Sequence, residues 1–198
     1  DSPQPMKEDY LLTGPLEPTN EGYAVAKIAG IKMCQAYRQQ YGCDFIVAVP
    51  TNLYGPNDNF DLQHSHVLAA LLRRFNEARE QGGEPTLWGS GTPLREFMHA
   101  DDCADACLFL MERYSHAEIV NVGAGEGISI GRLATLVAEV VGYRGDIHWD
   151  PTKPDGMPRK LMDCGRMKAL GWTPRIPLRE GLQDAHRWYQ GHVKRIAD

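Results

Sequence analysis

The chain is 198 residues long, 42% hydrophobic and 24% charged, with a net charge of −5. These values suit one globular domain or two small lobes. The acidic balance, with no long basic run, argues against nucleic acid as a partner, and no apolar run reaches the roughly 18 residues of a membrane span. The five cysteines are odd in number and contain no CxxC pair. That fits reduced thiols in the cytoplasm better than a disulfide framework.

The first residues, DSPQPMKED, read as a loop running into an established fold. There is no initiator methionine, and no Gly-rich strand-turn-helix stands ahead of the first helix. The expectation is a piece of a longer protein. NEGYAVAKIAG, residues 20–30, then opens a helix with Asn20 as its N-cap; only Gly30 disfavours its continuation to residue 41. Tyr23 and Lys27 lie four residues apart, so one helix face presents both. A cation beside a phenol favours the phenolate, which suits a general acid or base acting on a carbonyl or alcohol. The spacing alone also fits an ordinary surface pair.

DFIVAVP, residues 44–50, has the pattern of a buried parallel strand. It ends in PTNLYGPNDNF, a turn-rich loop of the kind at which open α/β sheets bind ligands. His64 and His66 come next in that loop; a histidine placed near the Tyr-Lys pair would donate protons in the useful pH range. Residues 66–80 form an amphipathic helix. Two short strands around a Gly-rich turn are expected in GGEPTLWGSGTPLREFMH, and residues 101–114 form a helix capped by aspartates. EIVNVG is a strand, SIGRLATLVAEVVG a helix with Ser129 as its cap, and DIHWD a strand. Two more helices end the chain. Alternation of strands and helices is the α/β signature.

Two patterns are read as structural. GAGEG, residues 123–127, resembles a dinucleotide fingerprint, with Asp150 ending the next strand, but Ile128 stands where the third glycine belongs. His99, Cys103 and Cys107 offer zinc-type ligands at helical spacing, yet the helix is expected to start after His99 and free cysteine is common core filling. No metal is expected. Arg73-Arg74, Arg95 and Arg159-Lys160, basic residues in an acidic protein, attract more interest, as does Trp88 between glycine-rich turns near Arg95. Guanidinium forks bind phosphate and an aromatic face stacks on a base, so a nucleotide-diphosphate ligand would account for several of them.

In this order, the stretches LEPTNEGYAVAKIAGIK, VPTNLYGPNDNF, SHVLAALLRRF, WGSGTPLREFMHADD, NVGAG and KPDGMPRKLMD resemble the extended branch of the short-chain dehydrogenases/reductases, and within it the GDP-L-fucose synthases. The resemblance runs from end to end. It implies an α/β fold in which residues 1–60 complete a Rossmann-like, NADP-binding parallel sheet. Residues 61–198 would mainly form a smaller domain for a GDP-sugar, with returns to the sheet. Carried over residue by residue, it implies that Tyr23, Lys27 and His66 are catalytic. Lys27, Pro50, Thr51, Asn52, Leu53 and His66 would contact NADPH, and Arg74, Trp88, Arg95 and Asp155 would hold the GDP-sugar. The family's upstream GxxGxxG, serine and epimerisation cysteine have no counterpart in these 198 residues. A cytoplasmic homodimer is the family expectation. Two alternatives stay open: a related nucleotide-sugar 4-epimerase or dehydratase, and a non-catalytic nucleotide-sugar-binding fragment.

Overall fold

The computed structural model describes residues 2–62 and 64–193. Helix α1, Glu21–Tyr41, comes after a 3-10 turn at Pro18–Asn20. Its expected cap, Asn20, makes no side-chain bond to the helix. Glu17 acts one turn earlier, its carboxylate accepting from the Thr19 N–H at 3.1 Å and from Asn20 Nδ2 at 3.2 Å. The asparagine side chain is thereby drawn away from its own helix. Gly30 leaves the helix intact, and Gly42 closes it in the left-handed region, its N–H bonding to the Arg38 carbonyl.

Strand β1, Ala48–Pro50, is shorter than the apolar run suggested. Asp44 is drawn off by Arg38 and by the Ser115 hydroxyl before the ladder begins. Thr51 separates β1 from β2, Asn52–Tyr54, and donates its N–H to Val122 O at 2.9 Å. At that residue the chain changes partner. The order from there is α2 (Val67–Gln81), β3 (Thr86–Trp88), β4 (Leu94–Arg95), β5 (Phe97–His99), α3 (Ala100–Arg113), β6 (Val120–Val122), β7 (Ile128–Ser129), α4 (Ile130–Val141), β8 (His148–Asp150), β9 (Arg159–Lys160), α5 (Gly165–Leu170) and α6 (Leu178–His192). β1 pairs in parallel with β6, β2 with β5, and β3 with β8. β4 lies between antiparallel β7 and parallel β9. The Gly-rich segment thus holds three strands rather than two. β7 and β9 are two residues each, too short to leave a periodic trace.

Two apolar clusters hold these elements. One joins α2, α4 and α6 through Leu68, Leu72, Phe75, Leu133, Val137 and Leu182. The other joins α3, β6 and α5 through Leu110, Val120, Val122 and Met167, against Ile46, Ala48 and Leu53. Each fully buried side chain of this size contributes about 1.5–3 kcal/mol. Side-chain caps mark the starts of α4 and α3. Ser129 Oγ accepts from the Arg132 N–H at 3.2 Å, the cap the sequence predicts. At α3 the cap is His99, whose Nδ1 accepts from the Asp101 N–H at 3.2 Å. That helix begins at Ala100, so the expected aspartate caps already lie inside its first turn.

Candidate active site

Tyr23 and Lys27 share a face of α1, with Lys27 Nζ 5.5 Å from the centroid of the Tyr23 ring. That is close enough for a cation–π attraction. The ring is 67% exposed, so its hydroxyl is open to a ligand. No carboxylate stands within 4.0 Å of Lys27 among the described residues.

The strand end carries the next group. Pro50 is the last residue of β1, and Thr51, Asn52 and Leu53 come directly after it. Thr51 Oγ1 and Asn52 Nδ2 both donate to the Glu96 carbonyl, at 3.3 and 2.7 Å. His66, which the sequence places in a loop, occupies the N-cap position of α2 without a side-chain cap bond, and it is exposed. Burial raises the Asp58 carboxyl above the usual range, partly offset by the Asn59 N–H and by the charge of His66. An acidic and a basic group therefore feel each other in the loop between β2 and α2.

A pocket of about 190 Å³ gathers three of the expected ligand-binding residues, Trp88, Arg95 and Asp155, with Val67, Pro93 and Ile130. Ladder geometry explains the gathering. β3 ends at Trp88 and β4 at Arg95, and the loop after β8 bends back so that Asp155 accepts from the Ser90 N–H at 2.6 Å and the Ser90 hydroxyl at 2.8 Å. These bonds hold the Asp155 carboxyl below its usual range. Gly89 is required here: its φ is +79°, and a Cβ would come within 2.2 Å of Asp155 Oδ1. Arg95 donates to the Leu94 carbonyl at 2.8 Å, and no carboxylate lies within 4.0 Å of it among the described residues. Burial lowers its pKa, but a guanidinium keeps its charge in a protein. An uncompensated, half-buried cation favours an anion. Trp88 is 64% exposed, with Lys153 Nζ 5.6 Å from the centre of its ring.

Tyr23, Lys27, His66 and Arg74 do not line this pocket, although Val67 next to His66 does. Arg74 reaches the Thr86 carbonyl at 3.4 Å, beside β3. A larger, open groove of about 640 Å³ between the C-terminal ends of α2 and α4, bounded by Arg79, Tyr143 and Arg144, holds none of the expected residues. Glu96, Ser90 and Asp58 belong to no motif that marks them in the sequence. Only Glu96 left a trace, a charge between Arg95 and Phe97 in a segment expected to be strand.

The sequence profile of the NAD dependent epimerase/dehydratase family matches residues 1–123. The chain belongs to this family. GDP-L-fucose synthase 1 of Arabidopsis thaliana is 60% identical to it over 193 residues, 97% of this chain and 60% of the relative. GDP-L-fucose synthase of Escherichia coli (strain K12) is 50% identical over 196 residues, 94% of this chain and 61% of the relative. The crystal structure of a GDP-L-fucose synthetase from Naegleria fowleri bound to NADP superposes with a TM-score of 0.93 at 28% identity, covering 97% of this chain and 62% of that one. The epimerase/dehydratase chain thus spans about 60% of the length of the curated relatives it matches. Its α/β architecture, with parallel β1–β6 and β2–β5 ladders, is Rossmann-like.

Proposed function

We propose that the chain serves GDP-L-fucose synthesis, as part of a protein of the length of those relatives. The reaction is epimerisation at carbons 3 and 5 of GDP-4-keto-6-deoxy-D-mannose, then NADPH-dependent reduction at carbon 4. The observation that carries the reading is Arg95. Its cation has no carboxylate partner among the described residues and shares a pocket with Trp88 and Asp155, in a chain 50–60% identical to enzymes of that name.

Each residue then has a task. Arg95 holds the diphosphate by charge-assisted hydrogen bonds, and Arg74 adds charge beside β3. The Trp88 ring offers a face for stacking, and Asp155 accepts from the ligand with whatever capacity Ser90 leaves it. The 4-keto group acidifies the protons on carbons 3 and 5. His66 returns protons there, while the base that removes them is none of these residues. Tyr23 donates its proton to the oxygen on carbon 4, with the Lys27 ammonium on the same helix face beside it.

NADP(H) fits the residues present. Lys27 is an ammonium free of carboxylates among the described residues, next to an exposed tyrosine. Pro50 ends β1, and Thr51, Asn52 and Leu53 lead from it into β2, at a strand end where such sheets receive ligands; His66 closes the loop that follows β2. These would hold the nicotinamide end. When bound, the cofactor supplies the hydride.

The domain division that goes with this reading keeps residues 1–60 in the cofactor part and assigns 61–198 mainly to the sugar nucleotide. The returns are β5, α3, β6 and α5, supported by the packing of Leu110, Val120 and Met167 with Ala48 and Leu53. A cytoplasmic homodimer completes the proposal. All five cysteines are free, and no described helix is long and apolar enough to cross a membrane.

The test separates the two chemistries in a protein of full length. Tyr23→Phe removes one hydroxyl, and loss of a positioned general acid costs typically about 10²–10⁴-fold. NADPH consumption should nearly stop, while deuterium uptake from heavy water at carbons 3 and 5 slows much less. His66→Asn should do the reverse. Normal NADPH consumption by Tyr23→Phe, or normal epimerisation by His66→Asn, overturns the role given to that residue.

A further inference from the structure

Glu96 is a buried charge that the reaction does not use. It lies between β4 and β5 and is 1% exposed. Its carboxylate is held by main-chain donors, with no cation on it among the described residues. The Gly125 N–H bonds to Oε1 at 2.9 Å and the Met162 N–H to Oε2 at 2.9 Å, with Cys164 Sγ 4.0 Å from Oε1. GAGEG gives way to fit it, since a Cβ on Gly123 would fall 2.1 Å from Oε1. In that fingerprint-like turn Gly123 therefore makes room for a carboxylate of the chain itself, and Gly125 donates its N–H to it. The Glu96 main chain faces the other way, its carbonyl receiving Thr51 and Asn52.

What the carboxylate holds bears on the pocket. Residues 151–160 leave β8 as an exposed arm with no buried side chain. The arm has no hydrophobic anchor of its own. It is fixed by Asp155 on Ser90, by the Leu94 N–H on the Pro158 carbonyl at 2.9 Å, and by the two-residue pairing of β9 with β4. Just past the arm, Met162 is tied to Glu96.

We propose that Glu96 is the positioning residue of the sugar-nucleotide pocket: its carboxylate pins the far end of the arm and the 123–127 turn, so that Asp155 stays beside Arg95 and Trp88. This rests on reading that pocket as the GDP-sugar site. An ionised carboxylate only accepts, which matches two N–H donors. A glutamine amide would turn an N–H toward one of them.

The experiment uses protein of full length and GDP as the probe. By calorimetry, Glu96→Gln weakens GDP binding by about tenfold or more, a change of roughly 1.4 kcal/mol, and leaves the NADPH Kd within about twofold, because the carbonyl that holds Asn52 remains. Amide exchange rises across residues 155–163 and not in α2. Combined with Asp155→Ala, its effect on GDP binding is less than additive, as expected when one residue acts through the other. If Glu96→Gln does not fold, Glu96→Asp, which keeps the charge and shortens its reach, is read in the same way. GDP affinity unchanged in a folded variant, or fully additive effects, overturns the proposal alone. Wild-type protein that binds no GDP overturns the reading of the pocket and the proposal with it.

Discussion

Asp58 and Asp155 are carboxylates pushed in opposite directions. Burial raises Asp58, so the folded state holds that proton more tightly than the unfolded one. Its ionisation then opposes folding at neutral pH, and the penalty is relieved as pH falls through the raised folded value. The Ser90 N–H and hydroxyl lower Asp155. Its contribution is present above the unfolded value and lost as pH falls through the depressed one. Asp58→Asn should therefore raise Tm at pH 7, with the gain closing in acid, and thermal melts across pH measure it. A variant less stable than wild type at pH 7 would contradict the assignment. Arg95→Ala should weaken GDP binding by about 1.5–3 kcal/mol, the usual value of a hydrogen bond to a charged group, with little effect on NADPH; unchanged GDP affinity would make Arg95 structural. Arg95 and Trp88 stand out in the sequence as candidates because their chemistry is local to the residue. Glu96 leaves only a lone charge in a strand segment, because its partners Gly125 and Met162 lie 29 and 66 positions along the chain.

Helices were legible because their period repeats over several turns, and Ser129 caps α4 as the sequence implies. Two features escaped for opposite reasons. Asn20 had the right chemistry for a cap but lost its side chain to Glu17. β7 and β9 have no pattern of their own and exist because β4 lies between them. The same logic ranks two substitutions in α4. Ser129→Ala removes one cap bond and should cost about 0.5–2 kcal/mol. Leu133 is fully buried among α2, α4 and α6, so Leu133→Ala should cost about 2–5 kcal/mol. Urea unfolding measures both. A cap that matters as much as the core leucine would mean that α4 depends on its first turn rather than on its packing.

Across the whole molecule, the Tyr-Lys pair sits on the least covered of the helices α1–α6. No residue of α1 is buried. Ala24, Ile28, Ile31 and Gln35 are its half-buried face, and Gln35 and Arg38 tie it to the carbonyls of Ala117 and Ser115. Beside that face, Tyr23, Met33, Tyr37 and Tyr41 are 67%, 58%, 45% and 63% exposed. At 3.6 residues per turn these four fall within a sector of about 80°. They form a stripe rather than a scatter, and contiguous exposed apolar surface of this kind marks an interaction face. The sequence showed the apolar residues of this helix but not which would stay uncovered, because that depends on what else packs against it. The expected outcome is that the 198-residue chain by itself self-associates through α1. Sedimentation velocity across the micromolar range should show species larger than the monomer. Met33→Lys with Tyr41→Glu should shift them toward monomer without lowering Tm, since neither side chain is part of either apolar cluster. Association that survives the double substitution would place the contact elsewhere, and a monomer at every concentration would show that the stripe is too small to drive it.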